Sequence, residues 1–355
     1  MPSTRRPILA DVAQRAGLSI TATSMILNER PGTRLSADAA ARVRKAAAEL
    51  GYRPNVNARG LRTAKTNTIG FISDNVASTG PASGLIRGAL EAAETMGHAL
   101  LVLETGGDIR RERRALGAVL DRQVDGVIFA TVRARELEVP ALPAGVRAVM
   151  LNATNQGIPL SVRPDELQGG TTAAAVVANA GHTEGIVLVG ISLAALSEGG
   201  PLFSANVVSR LAGLRNGLAA AGLQFDAELV VDDWTPKEGH SALEQYLRTG
   251  RRPRCIVTMN DPLAFGVYQA LSEAGLCVPA DVSVVSFDND DMADYLRPGL
   301  TTVALPYEEM GAAAVRLMLS GDATGEQLVP MPLVSRGSVA HFLNRPGATE
   351  MALRY

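Results

Sequence analysis

The chain has 355 residues and is 46% hydrophobic, ample for two or three packed domains. No uninterrupted apolar run reaches membrane-spanning length, and the N-terminus lacks the long apolar core of a signal peptide. These features argue against a membrane protein and a secreted one, so a cytoplasmic location and no membrane partner are expected. The net charge of −2 hides a division: residues 1–65 hold 12 Lys/Arg and 4 Asp/Glu, whereas the rest hold 22 and 32. A basic head on an acidic body suits a head that meets a polyanion. A merely solvated basic face is the alternative. Cys255 and Cys277 are too few for a disulfide framework and read as small buried hydrophobes.

Residues 1–65 read as helices. Ile8, Val12, Ala13 and Ala16 recur at helical spacing, and Gly17 ends the run. Ser19 is placed to cap a second helix over Ile20–Asn28, and Ser36 a third over Asp38–Leu50. Pro54 marks a fresh start. The Gly17-Leu18-Ser19 turn gives the first two helices the form of a helix-turn-helix, with Gly17 free to take a positive φ. Such a motif sets the start of its second helix in the DNA major groove. Two short helices around a glycine turn are also common in ordinary bundles.

From Thr68 onward, β and α segments alternate. Strands are expected at Ile69–Ser73, Leu100–Leu103, Val127–Phe129, Ala148–Leu151, Ile186–Val189, Ile256–Met259, Val282–Phe287 and Thr301–Leu305. Helices are expected at Leu85–Met96, Arg111–Arg122, Thr171–Ala180, Val207–Ala221, Glu238–Leu247 and Pro262–Ala274. This order predicts parallel sheets covered by helices on both faces, in two lobes. Ligands in such sheets bind beyond the carboxyl ends of strands. Asp74 and Asn75, Thr131, Asn152, Asn260 and Asp261, and Asp288 and Asn289 occupy those positions, as a cleft for a polyhydroxylated ligand requires. Asp74 and Asn75 also suit an ordinary turn. The basic run Arg110–Arg114 reads as a solvated helix face. No phosphate-binding, dinucleotide-binding, serine-hydrolase or zinc-protease motif is present, and the four histidines are scattered. An enzyme is therefore not expected, nor a metal or cofactor.

The segments DVAQRAGLSITATSMILN, LGYRPNVNARGLRT and TIGFI closely resemble the lac repressor (LacI/GalR) family. Family-like stretches continue through Gly169-Gly170, Arg210–Gly213, Asp233-Trp234, Asn260-Asp261, Phe287–Asn289 and Leu300–Val303. The resemblance implies an all-α helix-turn-helix domain over 1–65 with a hinge helix at about 54–62. It implies a periplasmic-binding-protein-like α/β domain over 66–345. The lobes would be 66–163 with 304–330, and 164–303 with 331–345.

Roles follow position by position from that resemblance. Ser19 and Ser24 match phosphate contacts, and Asn28, at the end of the same helix, is expected among the DNA-binding residues. Ile20, Thr21 and Met25 match positions facing base edges, where Ile20 and Met25 can make only apolar contacts. Packing inward is their alternative. The family often has Thr where Ala22 sits and Val where Thr23 sits. In the hinge, Asn55, Ala58 and Leu61 share a face, Arg59 and Arg62 suit phosphates, and Leu61 matches a minor-groove wedge. A core leucine is the other reading of Leu61. Gly60 weakens that helix by roughly 1 kcal/mol relative to Ala.

Arg210, Trp234, Asp288, Asn152 and Asn260 match effector contacts. Asp261 suits a helix cap instead, and Asp165 suits either an effector contact or a cap. A surface ion pair is the other reading of Arg210, and packing that of Trp234. The expected protein is a homodimeric repressor on a roughly palindromic double-stranded operator, controlled by a sugar-like effector. A periplasmic-type solute-binding protein is the rival reading, and the basic head argues against it. The tail after His341 lacks leucine heptads, so a tetramerising coiled coil is not expected.

Overall fold

The computed structural model describes residues 7–28, 35–53, 65–78, 80, 82–192, 205–321 and 325–340. The chain divides into two compact units between Thr66 and Asn67. In the first, α1 (Leu9–Ala16), α2 (Ile20–Leu27) and α3 (Ala37–Leu50) enclose Val12, Ala16, Ile26, Val43, Ala46 and Ala47. Ile8 lies just outside α1 rather than in it. It is 46% exposed, and its amide donates to Asp11 Oδ2 at 2.8 Å, which satisfies an open helix-start donor. Gly17 closes α1 at φ +67, a conformation other residues rarely adopt. Ser19 and Ser36 cap α2 and α3 by accepting from the amides of Ala22 and Ala39 at 3.1 and 3.2 Å. The expected hinge, with Asn55, Ala58, Arg59, Leu61 and Arg62, lies outside the described residues.

The second unit holds two six-stranded sheets. The first contains β1 (Thr68–Ser73), β2 (Ala99–Glu104), β3 (Gly126–Glu136), β4 (Arg147–Thr154), β5 (Ser161–Pro164) and the late strand β11 (Glu326–Val329). Its order is β11-β5-β4-β3-β1-β2, with every neighbour parallel. Helices α4 (Ser83–Thr95) and α5 (Ile109–Leu120) flank it. Ile69, Phe71, Ile128 and Val149 pack in one core cluster, whereas Ile72, Val127, Phe129 and Met150 pack in another. Successive strand residues point to opposite faces, so burial on both produces the near-continuous apolar runs of the sequence.

The second sheet contains β6 (Ile186–Gly190), β7 (Ala227–Val230), β8 (Cys255–Thr258), β9 (Ser283–Asp288), β10 (Thr301–Ala304) and β12 (Leu333–Val334). Its order is β12-β10-β9-β8-β6-β7. Around it lie α6 (Glu166–Asn179), α7 (Ala205–Ala220), α8 (Pro236–Arg248), α9 (Asp261–Glu273) and the short α10 (Asp291–Tyr295). Helix α11 (Tyr307–Leu319) returns to the first sheet, beside α4. The chain passes between the sheets near 165, 305 and 331.

Sheet two is not purely parallel, because β12 pairs antiparallel with β10. The strands absent from the sequence reading are short, and β7, β11 and β12 are sheet edges. Edge strands need no continuous apolar run, so their composition carries little signal. Cys255 is buried and burial pushes its thiol up to about 12. Cys277 is exposed, against expectation: it follows α9, where its amide donates to Asp281 Oδ2 at 2.8 Å. Arg110, Arg111, Arg113 and Arg114 are exposed on α5, as a solvated face requires. Among the described residues, no helix is long and apolar enough to cross a membrane, and no cluster of His, Cys, Asp and Glu could hold a metal ion.

Candidate functional site

Helix α2 divides its side chains cleanly. Thr23 and Ile26 are buried, while Ile20 is 54% exposed and Thr21 is also exposed. Met25, Ser24 and Asn28 are half-buried. Ile20 therefore does not pack inward; the buried side of α2 is filled by Ile26 against α1 and α3. Ser24 Oγ accepts from Asn28 Nδ2 at 3.2 Å. The start of α2 is thus an outward surface of Ser19, Ile20 and Thr21. Exposed Arg44 and Lys45 on α3 supply positive charge, whereas Arg42 pairs with Asp38 at 3.4 Å and Arg15 with Glu49 at 2.9 Å.

In the second unit, the centre of the polar cluster is Arg210 on α7, which is buried. Its Nε and Nη2 donate to Glu166 Oε2 and Oε1 at 2.6 and 3.0 Å. Its Nη1 donates to the Met259 carbonyl at 2.6 Å and lies 3.5 Å from Asp288 Oδ1. The guanidinium also sits 4.5 Å from the Phe287 ring centroid. Burial works against this charge, but Glu166 and Asp288 outweigh it and hold the proton more tightly than usual.

This pair exists because α6 and α7 cross at glycines. A Cβ on Gly170 would stand 2.2 Å from the Arg210 carbonyl, and one on Gly213 equally close to that of Leu167. Only backbones without Cβ atoms approach so closely, and the crossing brings Glu166 at the start of α6 to Arg210.

Asp288 ends β9 at φ +104, and Asn152 within β4 has φ +54. Left-handed backbone at such residues stores strain and is concentrated at functional sites. Burial raises the Asp288 carboxyl to about 7, against the pull of Arg210 and helped by Asp261 and Glu166. Burial also raises Asp261 to about 6, opposed by its hydrogen bonds. Tyr307 joins the same field: burial first, then Asp288, lifts its phenol above the usual value.

The cap expected of Asp261 is supplied by its neighbour Asn260. Asn260 caps α9, accepting from the Leu263 amide at 3.0 Å, and Asp261 turns inward. It accepts from Thr302 Oγ1 at 2.9 Å and the Asp290 amide at 2.7 Å, tying three strand ends together. Asn260 Nδ2 also donates to the Trp234 carbonyl at 3.3 Å. Among the described residues, the buried Trp234 indole N–H and Asp288 Oδ1 have no hydrogen-bond partner, although Asp288 Oδ1 is ion-paired with Arg210. Asp165 caps α6 through the Gln168 amide at 3.0 Å.

In the first sheet, Asp74 Oδ1 accepts from the amides of Asn75 and Val132 at 2.6 and 3.1 Å, and Asn75 is exposed. The Thr131 hydroxyl donates to the Asn152 carbonyl at 2.7 Å, and Asn152 Nδ2 returns bonds to the carbonyls of Thr131 and Val132 at 3.0 and 2.9 Å. Asn152 Oδ1 reaches Asn206 of α7 at 3.4 Å, and Arg163 donates to Asn206 at 2.9 Å. Arg133 and Asp233 form a second link between the lobes at 3.6 Å. Glu166, Asn206, Arg163 and Tyr307 escaped the sequence reading. Glu166 carries one signal, a carboxylate in a helix first turn, but its partner is set by the crossing of α6 and α7.

A model of bacterial regulatory proteins of the lacI family matches residues 8–55, and a periplasmic binding protein-like domain matches 174–339. The ribose operon repressor of Escherichia coli K12 is 32% identical over 317 residues, covering 88% of this chain and 92% of that protein. The chain belongs to the lacI family. A structure of the lac repressor dimer bound to operator and the anti-inducer ONPF matches with a TM-score of 0.77 at 27% identity, covering 95% of this chain and all of that one. A lacI-family regulator from Enterococcus faecium with bound ribose matches with a TM-score of 0.59 at 25% identity, covering 78% and 99%. This lacI-family chain is thus a DNA-binding transcriptional regulator, with its helix-turn-helix in the first unit and a periplasmic-binding-protein-like domain in the second.

Proposed function

We propose that the protein is a homodimeric repressor whose grip on a roughly palindromic operator is controlled by a sugar or sugar derivative bound between its two lobes. Ser19, Ile20, Thr21, Ser24, Met25 and Asn28 form the major-groove surface. The hinge residues Asn55, Ala58, Arg59, Leu61 and Arg62 follow in the minor groove and on phosphates. In the body, Arg210, Asp288, Trp234, Asn260 and Asn152 hold the effector, with Asp74, Asn75 and Thr131 on the first lobe's edge. Asp165 serves α6 and shapes the wall.

The observation that carries the effector reading is a pair of buried polar atoms that make no hydrogen bond among the described residues: Asp288 Oδ1, which lies 3.5 Å from Arg210 Nη1, and Trp234 Nε1. Buried polar groups are normally satisfied, and a polyhydroxylated ligand supplies both donors and acceptors. Ribose is the first sugar to try, because it is bound in the Enterococcus faecium relative. The expected sense is repression relieved by the effector, through a shift between DNA-competent and incompetent populations. No turnover of the effector is expected, and a cytoplasmic location follows from the role.

The test has two stages. Selection from random DNA by the full chain is expected to yield palindromes with half-sites about one helical turn apart. A thermal-shift screen of sugars is then followed by operator binding with each hit. Failure to enrich any palindrome, or measured conversion of a bound sugar, would overturn the reading.

A further inference from the structure

The charge balance around Arg210 bears on which molecules the cleft admits. Arginine recognises a carboxylate or phosphate through the planar edge formed by two of its nitrogens. Here the Nε–Nη2 edge is already bridged by Glu166, and Nη1 serves the Met259 carbonyl. Asp288 and Asp261 add carboxylates to the same field, and Asp290 contributes to it. The neighbouring Arg336 gives no relief: it donates to Asn289 Oδ1 at 2.8 Å and the Leu300 carbonyl at 2.9 Å, and lies 3.5 Å from Asp294. An anion entering beside Arg210 must displace Glu166 and strand a carboxylate that is 5% exposed.

We propose that Glu166 is a specificity-determining residue, one that makes the cleft select an uncharged polyhydroxylated effector and reject its phosphorylated or acidic counterparts. The inference rests on the effector-cleft reading above. It explains the open positions as well. A hydroxyl donates to Asp288 Oδ1, and a hydroxyl or ring oxygen accepts from Trp234 Nε1. A carboxylate or fully ionised phosphate carries no donor for Asp288, and its charge is repelled by the carboxylates gathered around Arg210.

The test is calorimetric titration of the full chain with ribose, glucose and galactose, in parallel with ribose 5-phosphate, glucose 6-phosphate and galacturonate. At least one neutral sugar is expected to bind, and its anionic counterpart to bind at least about a hundredfold more weakly. An anionic sugar bound as tightly as its neutral partner overturns the proposal. Glu166→Gln keeps the shape and removes the charge, and is expected to narrow the gap by at least about tenfold, mainly by gain for the anion. An unchanged gap in a variant that melts cooperatively overturns the role of Glu166.

A second measurement needs no sugar. Beyond the general, non-saturating stabilisation that such salts give any folded protein, inorganic phosphate and sulfate are expected to produce no saturable rise in the unfolding temperature of the wild-type full chain. A saturable stabilisation by phosphate that Arg210→Gln abolishes would overturn the proposal. Binding of none of the six sugars would defeat the sugar reading instead, while an absent phosphate effect would still support anion rejection.

Discussion

At the scale of single residues, the informative positions are polar atoms placed against the usual rules. Thr23 is fully buried in α2, and its hydroxyl has no hydrogen-bond partner among the described residues. The family often has valine there, an isostere without the hydroxyl. Thr23→Val is expected to stabilise the head by about 1 kcal/mol. Hydrogen exchange of amides in α1–α3 reads the change, and unaltered or faster exchange would show that the hydroxyl is satisfied.

Asp288 gives a prediction in pH. Its folded carboxyl is raised to about 7 and that of Asp261 to about 6, both above the unfolded value near 4. Each therefore binds its proton more tightly in the folded chain. The stability from this effect is complete below about pH 4 and is lost as pH rises through the folded values. Asp288→Asn is expected to stabilise the body at pH 8, on the order of 1 kcal/mol, with the gain shrinking toward pH 5. Denaturation followed by the fluorescence of Trp234, the single tryptophan, measures it. A gain larger at pH 5 than at pH 8 would reverse the assigned sign.

At the scale of elements, close packing of α6 on α7 builds the site. Gly170→Ala places a Cβ 2.2 Å from the Arg210 carbonyl and 2.7 Å from the Leu214 amide nitrogen, so the helices must separate. A loss of about 2–3 kcal/mol is expected, together with weaker effector binding because Glu166 and Arg210 ride on those helices. Gly117→Ala on α5 is the control: nothing lies within 4 Å of the added carbon, and the helix gains about 0.5–1 kcal/mol. Equal melting temperatures for the two variants would refute the close-crossing argument. The serine caps of α2 and α3 belong to the same scale, and they were legible because Ser before an apolar helical run has one common purpose.

At the scale of the whole molecule, the expected mechanism couples a ligand cleft in one unit to a DNA reader in the other. The outward face of α2 offers Thr21 as its clearest hydrogen-bonding group beside the apolar Ile20 and Met25. Specificity then leans on methyl contacts and on the energy of bending the operator. Leu61→Ser is expected to cost operator affinity at least about tenfold while leaving effector binding intact. Undiminished affinity in a DNA-binding titration at fixed salt would remove the wedge from the mechanism. Salt must be held constant, because phosphate contacts make such affinities steeply salt-dependent.

The sequence by itself determined the helix-turn-helix, the alternating β and α order and the family. Each is carried by local spacing: serine caps, a glycine turn and apolar runs of strand length. Candidate residues at strand ends were legible for the same reason, since a strand's end is a local event. Their roles were not. Asn260 and Asp261 are adjacent in sequence, yet one caps a helix and the other binds Thr302, 41 residues away. Glu166 and Arg210 lie 44 residues apart and meet because two glycines let α6 and α7 touch. Edge strands β7, β11 and β12 were also invisible, because pairing rather than composition makes them strands. What tertiary structure alone decided is the partner of each charge. That choice depends on distance and burial, and neither is written in the spacing of residues along a chain.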